Sequence, residues 1–229
     1  MGSSNCAVVR EPIEVADRLA QLGLNEEVLR EAVLVGVAAQ RACTRNVPPT
    51  LRNLMPWGMT MTGMRDRLLP TRKWRRCDEE NFSRVINDTL KVAVCVSTGD
   101  QKTGLAGGSP KTKYPKGPVV ERAIDANQSF PFMADFPAAK EEDEEEITEV
   151  PDGLSTYILL IARTKNEVRC ELSLPSGIGP GGRVSEWSER IILSPLHLEP
   201  EPTQTDPNQP PGSPMDDAPT VEIDITRKE

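Results

Sequence analysis

The sequence predicts an α+β fold, in which N-terminal helices precede a β-hairpin and then a three-stranded antiparallel meander. Apolar residues recur at helical spacing in residues 12–45, whereas β-branched residues alternate in 82–98 and in 156–193. Other segments are acidic or rich in proline and have too few apolar residues for a core. The expected divisions are a basic helical and hairpin domain at 12–130, an acidic linker at 137–152, a β-meander at 154–197 and a disordered tail at 198–229.

The first two helices are predicted from apolar spacing and capping residues. Pro12 suits the first position of a helix, which Gly23 then breaks. Asn25 can cap a second helix that is almost wholly apolar, and we expect that helix to be central to the core. It ends near Arg45, because Pro48 cannot continue a helix.

A short helix is expected at residues 60–69, after the breaks at Pro56 and Gly58. Residues 82–98 then predict a β-hairpin that turns at Asn87. The second arm of this hairpin is apolar on both faces, which predicts a central position in a sheet. A short helix followed by a hairpin is also the order of elements in a winged helix-turn-helix.

The meander is predicted from three apolar segments, 156–163, 168–174 and 184–193. In the middle segment Val168, Cys170 and Leu172 alternate with polar residues, which predicts a strand with one buried face. Because three strands are too few to be stable alone, we expect the meander to pack on the N-terminal helices or to complete the sheet of the hairpin.

Charge is segregated along the chain. Residues 40–116 contain fifteen Lys/Arg and six Asp/Glu, whereas residues 137–229 contain eight and twenty. The basic part predicts a polyanionic partner, and the acidic part predicts solvated chain. Together they suggest an intramolecular screen, in which acidic chain competes with a polyanion for the basic surface.

Residues 65–76, here called the arginine segment, have the densest positive charge. Arginine and lysine contact phosphates, and an aromatic ring among them can stack on a base. We therefore expect a nucleic-acid contact here. The predicted contact residues are Arg65, Arg67, Arg72, Lys73, Trp74, Arg75 and Arg76.

Residues 97–117, here called the lysine loop, lie between a predicted strand and a predicted helix at 118–127. Such a loop can bind phosphate through backbone amides, the helix N-terminus and lysines. A P-loop is excluded, because Leu105 and Ala106 follow Gly104 where Lys and Ser/Thr are required. A mobile, solvated surface loop is the alternative. The predicted phosphate contacts are Lys102, Lys111, Lys113 and Lys116.

Other residue types limit the functional classes. His197 is the one histidine of the chain, so a His-based metal site or a Ser-His-Asp triad would have to use it. Five cysteines without CxxC spacing favour a reducing compartment. No apolar run approaches the roughly 20 residues that span a bilayer. We therefore expect no membrane partner, no metal, no cofactor and no catalytic residue.

The part from Trp57 through Asn127 has a distinctive pattern: WGMTMTGMRDRLLP, a hairpin, VAVCVSTGD, and then TKYPKGP before a helix. This pattern resembles bacterial proteins carried by phages and other mobile elements. The resemblance implies a bacterial cytoplasmic context, and it attaches no fold, activity or site.

Three functions follow from these observations. The first is a non-enzymatic accessory or regulatory protein that contacts nucleic acid through the arginine segment and the lysine loop. The second is a protein-interaction module that uses the acidic and Pro-rich segments, including the alternating residues 221–225. The third is a phosphate- or nucleotide-handling enzyme that uses the lysine loop.

Overall fold

The computed structural model describes residues 6–129 and 153–198. Its helices are α1 (Pro12–Gln21), α2 (Glu26–Arg41), α3 (Pro49–Leu68) and α4 (Pro118–Ser129). Its strands are β1 (Ala7–Val9), β2 (Arg75–Cys77), β3 (Arg84–Asn87), β4 (Val92–Thr98), β5 (Ser155–Arg163), β6 (Glu167–Gly179), β7 (Arg183–Ile192) and β8 (Leu196–His197). The predicted linker, residues 221–225, and the predicted tail apart from Leu198 lie outside the described residues.

All these strands form one mixed sheet of eight strands, in the order β1-β7-β6-β5-β4-β3-β2, with β8 beside β6. The α+β class is thus confirmed, and β3 and β4 form the expected antiparallel hairpin. Strands β5, β6 and β7 are consecutive antiparallel neighbours, as the meander requires, but they are not a separate three-stranded sheet, because β5 also pairs with β4. The described parts of residues 12–130 and 154–197 therefore share one sheet, which was the second of the two arrangements expected for the meander.

Strands β4 and β5 are parallel neighbours, with Val92 opposite Ser155 and Thr98 opposite Ile161. The hairpin prediction did not foresee this pairing. It makes β4 a central strand, as its apolar sequence on both faces requires. It also brings the carboxyl ends of β4 and β5 to the same edge of the sheet, where ligands bind in many α/β proteins.

Helices α1, α2 and α3 cover one face of the sheet, here called the helix face. The core on this side is apolar and includes Leu29, Val94 and Leu159, all at most 1% exposed. The predicted break at Pro56 is wrong, since α3 continues through it. A Cβ atom at Gly36 of α2 would collide with Thr60 Oγ1 and the Pro56 carbonyl oxygen, so close packing on α2 outweighs the helix-breaking tendency of proline.

The other face, here called the loop face, carries α4 and the lysine loop. Ile124 of α4 packs against Ile158 and Leu160 of β5. Glu171 and Ser173 of β6 also lie on this face and are fully buried. The prediction that β6 has one exposed face is therefore wrong. Within the described part of the chain, no helix has both the length and the apolar character needed to cross a membrane.

Candidate functional site: a cleft at the carboxyl ends of β4 and β5

A cleft of about 670 Å³ opens at the carboxyl ends of β4 and β5. Its floor is formed by the ends of these strands, including Val96 and Ile161. Helices α2 and α3 form one side, and the lysine loop forms the other. The volume lies within the range of roughly 300–1,000 Å³ that is typical of small-molecule sites.

Trp57 of α3 forms an aromatic wall of this cleft. Its indole Nε1 donates to the Val96 carbonyl oxygen at 2.9 Å, which fixes the ring across the end of β4. This bond is available because β3 begins at Arg84, opposite Cys95, and so provides no partner for the Val96 carbonyl. A polar tip held by the backbone leaves the ring itself as an apolar surface.

The polar side of the cleft carries more positive than negative charge. Lys113, Arg163 and Arg169 line it together with one carboxylate, that of Asp100. Arg169 is ion-paired with Glu167 at 3.3 Å, so the excess comes from Lys113 and Arg163. Asp100 is held in a turn, because its Oδ1 accepts from the Lys102 amide at 3.0 Å. Tyr114 stands beside Lys113 at the cleft and is 52% exposed, with the ammonium 5.6 Å from the ring centre. This composition favours an anionic ligand with a flat or apolar body.

The lysine loop is fixed to the loop face of the sheet, so the prediction of a mobile surface loop is wrong. Glu171 Oε2 accepts from the Gly104 amide at 2.8 Å, and Arg190 donates to the carbonyl oxygens of Gly108 and Leu105 at 2.7 and 3.0 Å. Glu171 and Arg190 also bind each other at 2.6 Å and are 0% and 3% exposed. A buried ion pair therefore anchors the loop that forms one side of the cleft.

The four predicted lysines of this loop have different surroundings. Lys102 and Lys111 are exposed, and Lys113 lines the cleft. Lys116 is partly buried, and its Nζ donates to Ser97 Oγ at 2.7 Å. Burial lowers the pKa of the Lys116 ammonium. These four residues therefore do not form a single exposed phosphate-binding surface.

The arginine segment is largely used by the fold itself. Trp74 is 5% exposed and packs in the core of the helix face, so it cannot stack on a base. Three of the arginines make ion pairs, namely Arg65 with Asp78, Arg67 with Glu31 and Arg75 with Asp88. Arg72, Lys73 and Arg76 are exposed, and in the described part of the chain none of them has an ion-pair partner.

The arginine segment and the lysine loop lie at opposite ends of β4. Arg75 pairs with Ile86, which pairs with Ala93 near the start of β4. Gly99, just past the end of β4, pairs with Thr112 of the lysine loop. These positions are about 20 Å apart along the strand, at ~3.3 Å per residue. The two predicted contact groups therefore do not make one continuous basic patch.

The winged helix-turn-helix arrangement is wrong as well. Residues 60–69 belong mostly to the C-terminal half of α3, and Met61, Met64 and Leu68 of that half are buried. The second arm of the hairpin is a central strand, so it cannot project as a wing. Comparison of the chain with protein-family models, curated proteins and solved structures finds no match.

Sequence reasoning missed Trp57 and Arg163 as members of the cleft. For Arg163 the usable signal was its position as the last residue of β5, whereas nothing in the sequence placed Trp57 of α3 at the end of β4. Side chains at the ends of parallel strands are common ligand contacts. The sequence predicted only antiparallel neighbours for β4 and β5, so the rule for the ends of parallel strands was not applied to them.

Proposed function

We propose that this protein binds a small organic anion of about the size of a mononucleotide in the cleft at the carboxyl ends of β4 and β5. The observation that carries the proposal is the location of a 670 Å³ cleft, with excess positive charge, at the ends of two parallel strands. The proposal keeps the ligand class of the third function considered from the sequence, a phosphate- or nucleotide-handling enzyme that uses the lysine loop, but it claims binding alone.

The ligand class follows from the two sides of the cleft. Lys113 and Arg163 supply positive charge for a phosphate or carboxylate group. Trp57 and Tyr114 supply aromatic surfaces for a flat body such as a base. A nucleoside monophosphate combines both features, and it is the probe of choice.

The experiment measures thermal unfolding of the full chain with AMP, GMP, CMP and UMP, and with inorganic phosphate as the anion alone. A ligand present at a hundred times its Kd stabilises the folded state by about 2.7 kcal/mol. We expect at least one nucleotide to raise the Tm, and the Lys113→Ala and Arg163→Ala variants to reduce that rise. Phosphate alone is expected to stabilise less.

Lys91→Ala is the matched control, because it also removes one exposed positive charge but lies at the other end of β4. Its response to nucleotide should equal that of the unmodified chain. Absence of any nucleotide-induced shift, or an equal loss in the Lys91→Ala variant, would contradict the proposal.

We also propose, as a second function, that the protein is a non-enzymatic accessory factor that contacts nucleic-acid phosphates. The observation that favours it is the exposed cluster of Arg72, Lys73 and Arg76, which the fold does not use in ion pairs among the described residues. Without Trp74, this cluster offers phosphate contacts and no base stacking.

Filter binding with duplex and single-stranded DNA tests this second function. The expected affinity falls with salt, and a triple alanine variant at Arg72, Lys73 and Arg76 reduces the salt slope by up to about 3. The control is a double alanine variant at Lys102 and Lys111, which lie on the lysine loop. Binding that does not depend on salt, or that depends only on the two lysines, would exclude the arginine segment as the contact.

A further inference from the structure

A second cavity, of about 200 Å³, lies beside the end of β4 and is lined by Ser97 and Lys116. Ser97 also lines the larger cleft, so this residue belongs to the wall of both cavities. The remainder of the smaller cavity combines apolar walls, among them Phe82, Val120 and Ile158, with the polar residues Asn81 and Ser83. A small hydrophobic group fits such a space.

Ser97 and Lys116 have the spacing of a nucleophile and its base. Lys116 Nζ lies 2.7 Å from Ser97 Oγ, within the range of roughly 2.6–3.2 Å expected of such a pair. The other contact of the Ser97 hydroxyl, to the Thr98 carbonyl oxygen, is long at 3.4 Å. The hydroxyl can therefore rotate and donate to an uncharged Lys116 amine.

The fold holds both members of the pair in place. Ser97 is 4% exposed and sits in β4, which pairs with β5 at this level of the sheet. Lys116 is fixed through its backbone, because its amide donates to the Gly182 carbonyl oxygen at 2.7 Å. Burial also lowers the pKa of Lys116, which raises the fraction of uncharged amine near neutral pH. A lysine uses such a shift when it acts as a general base.

We propose that Ser97 and Lys116 form an acyl-transfer pair, in which Ser97 is the nucleophile and Lys116 the base, acting on an ester or thioester of a short apolar acid. Ser97 Oγ forms a bond to the acyl carbon, and the bond from that carbon to its alkoxide or thiolate leaving group breaks. The hydroxyl proton passes to Lys116 Nζ and then to the leaving group. Water next attacks the acyl-enzyme and gives one proton to Lys116, which returns it to Ser97 Oγ as the acid departs.

The substrate class follows from the size of the cavity. About 200 Å³ accommodates a short acyl chain, and Phe82, Val120 and Ile158 supply apolar surface against which it can pack. The site does not depend on the ligand proposed for the larger cleft, so it can be tested in the absence of any nucleotide.

The experiment treats the full chain with an alkyl fluorophosphonate and with p-nitrophenyl acetate, and locates the adduct by peptide mass spectrometry. We expect one adduct per chain, on Ser97, and its absence in Ser97→Ala. Lys116→Met should slow labelling by about 10²–10⁴-fold, the usual contribution of general base catalysis. The labelling rate should rise with pH through a pKa below the ordinary lysine value.

Ser188→Ala and Lys91→Met serve as controls, since Ser188 lies on β7 and Lys91 precedes the start of β4. Both should label like the unmodified chain. Lys116→Arg keeps a positive donor but removes the base, so it separates a structural role from a chemical one. An unlabelled native chain, an adduct on another residue, or unchanged labelling in both Lys116 variants would overturn the proposal.

Discussion

The two faces of the sheet bury their side chains in different ways. The helix face is covered by α1, α2 and α3 through aliphatic residues such as Leu29 and Leu159. The loop face has an apolar contact with α4, but beneath the lysine loop it buries the Glu171–Arg190 ion pair. The core of the helix face gains stability from area removed from water, whereas the ion pair makes directional bonds that fix one conformation of the backbone above it.

The ion pair therefore has a positioning role for both cavities. It binds the lysine loop at Gly104 and Gly108, and the same loop presents Lys113 to the cleft and Lys116 to Ser97. Satisfied hydrogen bonds are required here, because an unpaired charge at this depth would be costly. Four predictions test this difference between the faces, beginning with the largest expected effect.

Removing one partner of the ion pair should cost the most stability. Arg190→Met leaves the Glu171 carboxylate buried without its counter-ion, and the expected loss is about 3–5 kcal/mol in the free energy of unfolding. Urea unfolding measures it. The double variant, with Met at both positions, removes both charges and should recover a large part of the loss.

The double variant also separates stability from positioning. Even if its stability recovers, the loop has lost its anchors, so amide hydrogen exchange at residues 103–112 should become faster. Equal losses in the single and double variants, or unchanged exchange in the loop, would show that the pair is not the anchor.

On the helix face, Leu159→Ala should cost about 2–5 kcal/mol, because it leaves a cavity in a packed core. Unlike removal of the ion pair, this change should leave the lysine loop in place, since no residue of the loop belongs to this core. Urea unfolding gives the loss, and hydrogen exchange measured under strongly native conditions should show the loop amides unchanged. Faster exchange confined to the loop would contradict the separation of the two faces.

The elements that the sequence predicted correctly are those that depend on local pattern. The spacing in α1 and α2, the cap at Asn25 and the alternation in β4 are local signals, and these elements formed close to where they were predicted. The Asn25 side chain does accept from the Val28 amide, at 2.8 Å. The first half of α3 was missed, because the space for Pro56 is made by Gly36, twenty positions earlier.

The lysine loop and the cleft could not be predicted, since their determinants are distant in sequence. Glu171 reads as a solvent-facing residue of a half-buried strand, and only the return of residues 104–108 over β6 makes it interior. The positive charge of the arginine segment was visible, but its ion-pair partners, such as Glu31, come from other elements. Composition gave the charges, and the tertiary contacts determined which of them are available.

The third prediction concerns the pH dependence that Lys116 adds to the loop face. Its pKa is lowered by burial, and the Cys95 thiol lies near it on this face. Between the folded pKa of Lys116 and the unfolded value of 10.5, the unfolded chain binds more protons, so folding becomes more favourable as pH rises. In Lys116→Met this contribution is absent.

Urea unfolding of the unmodified chain and of Lys116→Met at pH 7 and pH 10 measures this contribution. The free energy of unfolding of the unmodified chain, relative to that of Lys116→Met, should be larger at pH 10 than at pH 7. The control is Lys91→Met, which removes an exposed lysine. The difference in stability between this variant and the unmodified chain should be the same at both pH values. A difference that stays constant with pH would mean that Lys116 titrates normally in the folded protein.

The smallest effect is expected at Arg75, which differs from Arg190 mainly in burial. Arg75 binds both oxygens of Asp88, at 2.7 and 3.1 Å, but the two side chains are 37% and 46% exposed. Water screens such a pair, so Arg75→Ala should cost only about 0.2–1 kcal/mol and less at high salt. Urea unfolding at 50 mM and 500 mM NaCl checks both expectations. A loss comparable to that of Arg190→Met would mean that Arg75 anchors the edge of the sheet as strongly as the buried pair anchors the lysine loop. The charge of Arg75 would then be committed to the fold and not available for a nucleic-acid contact.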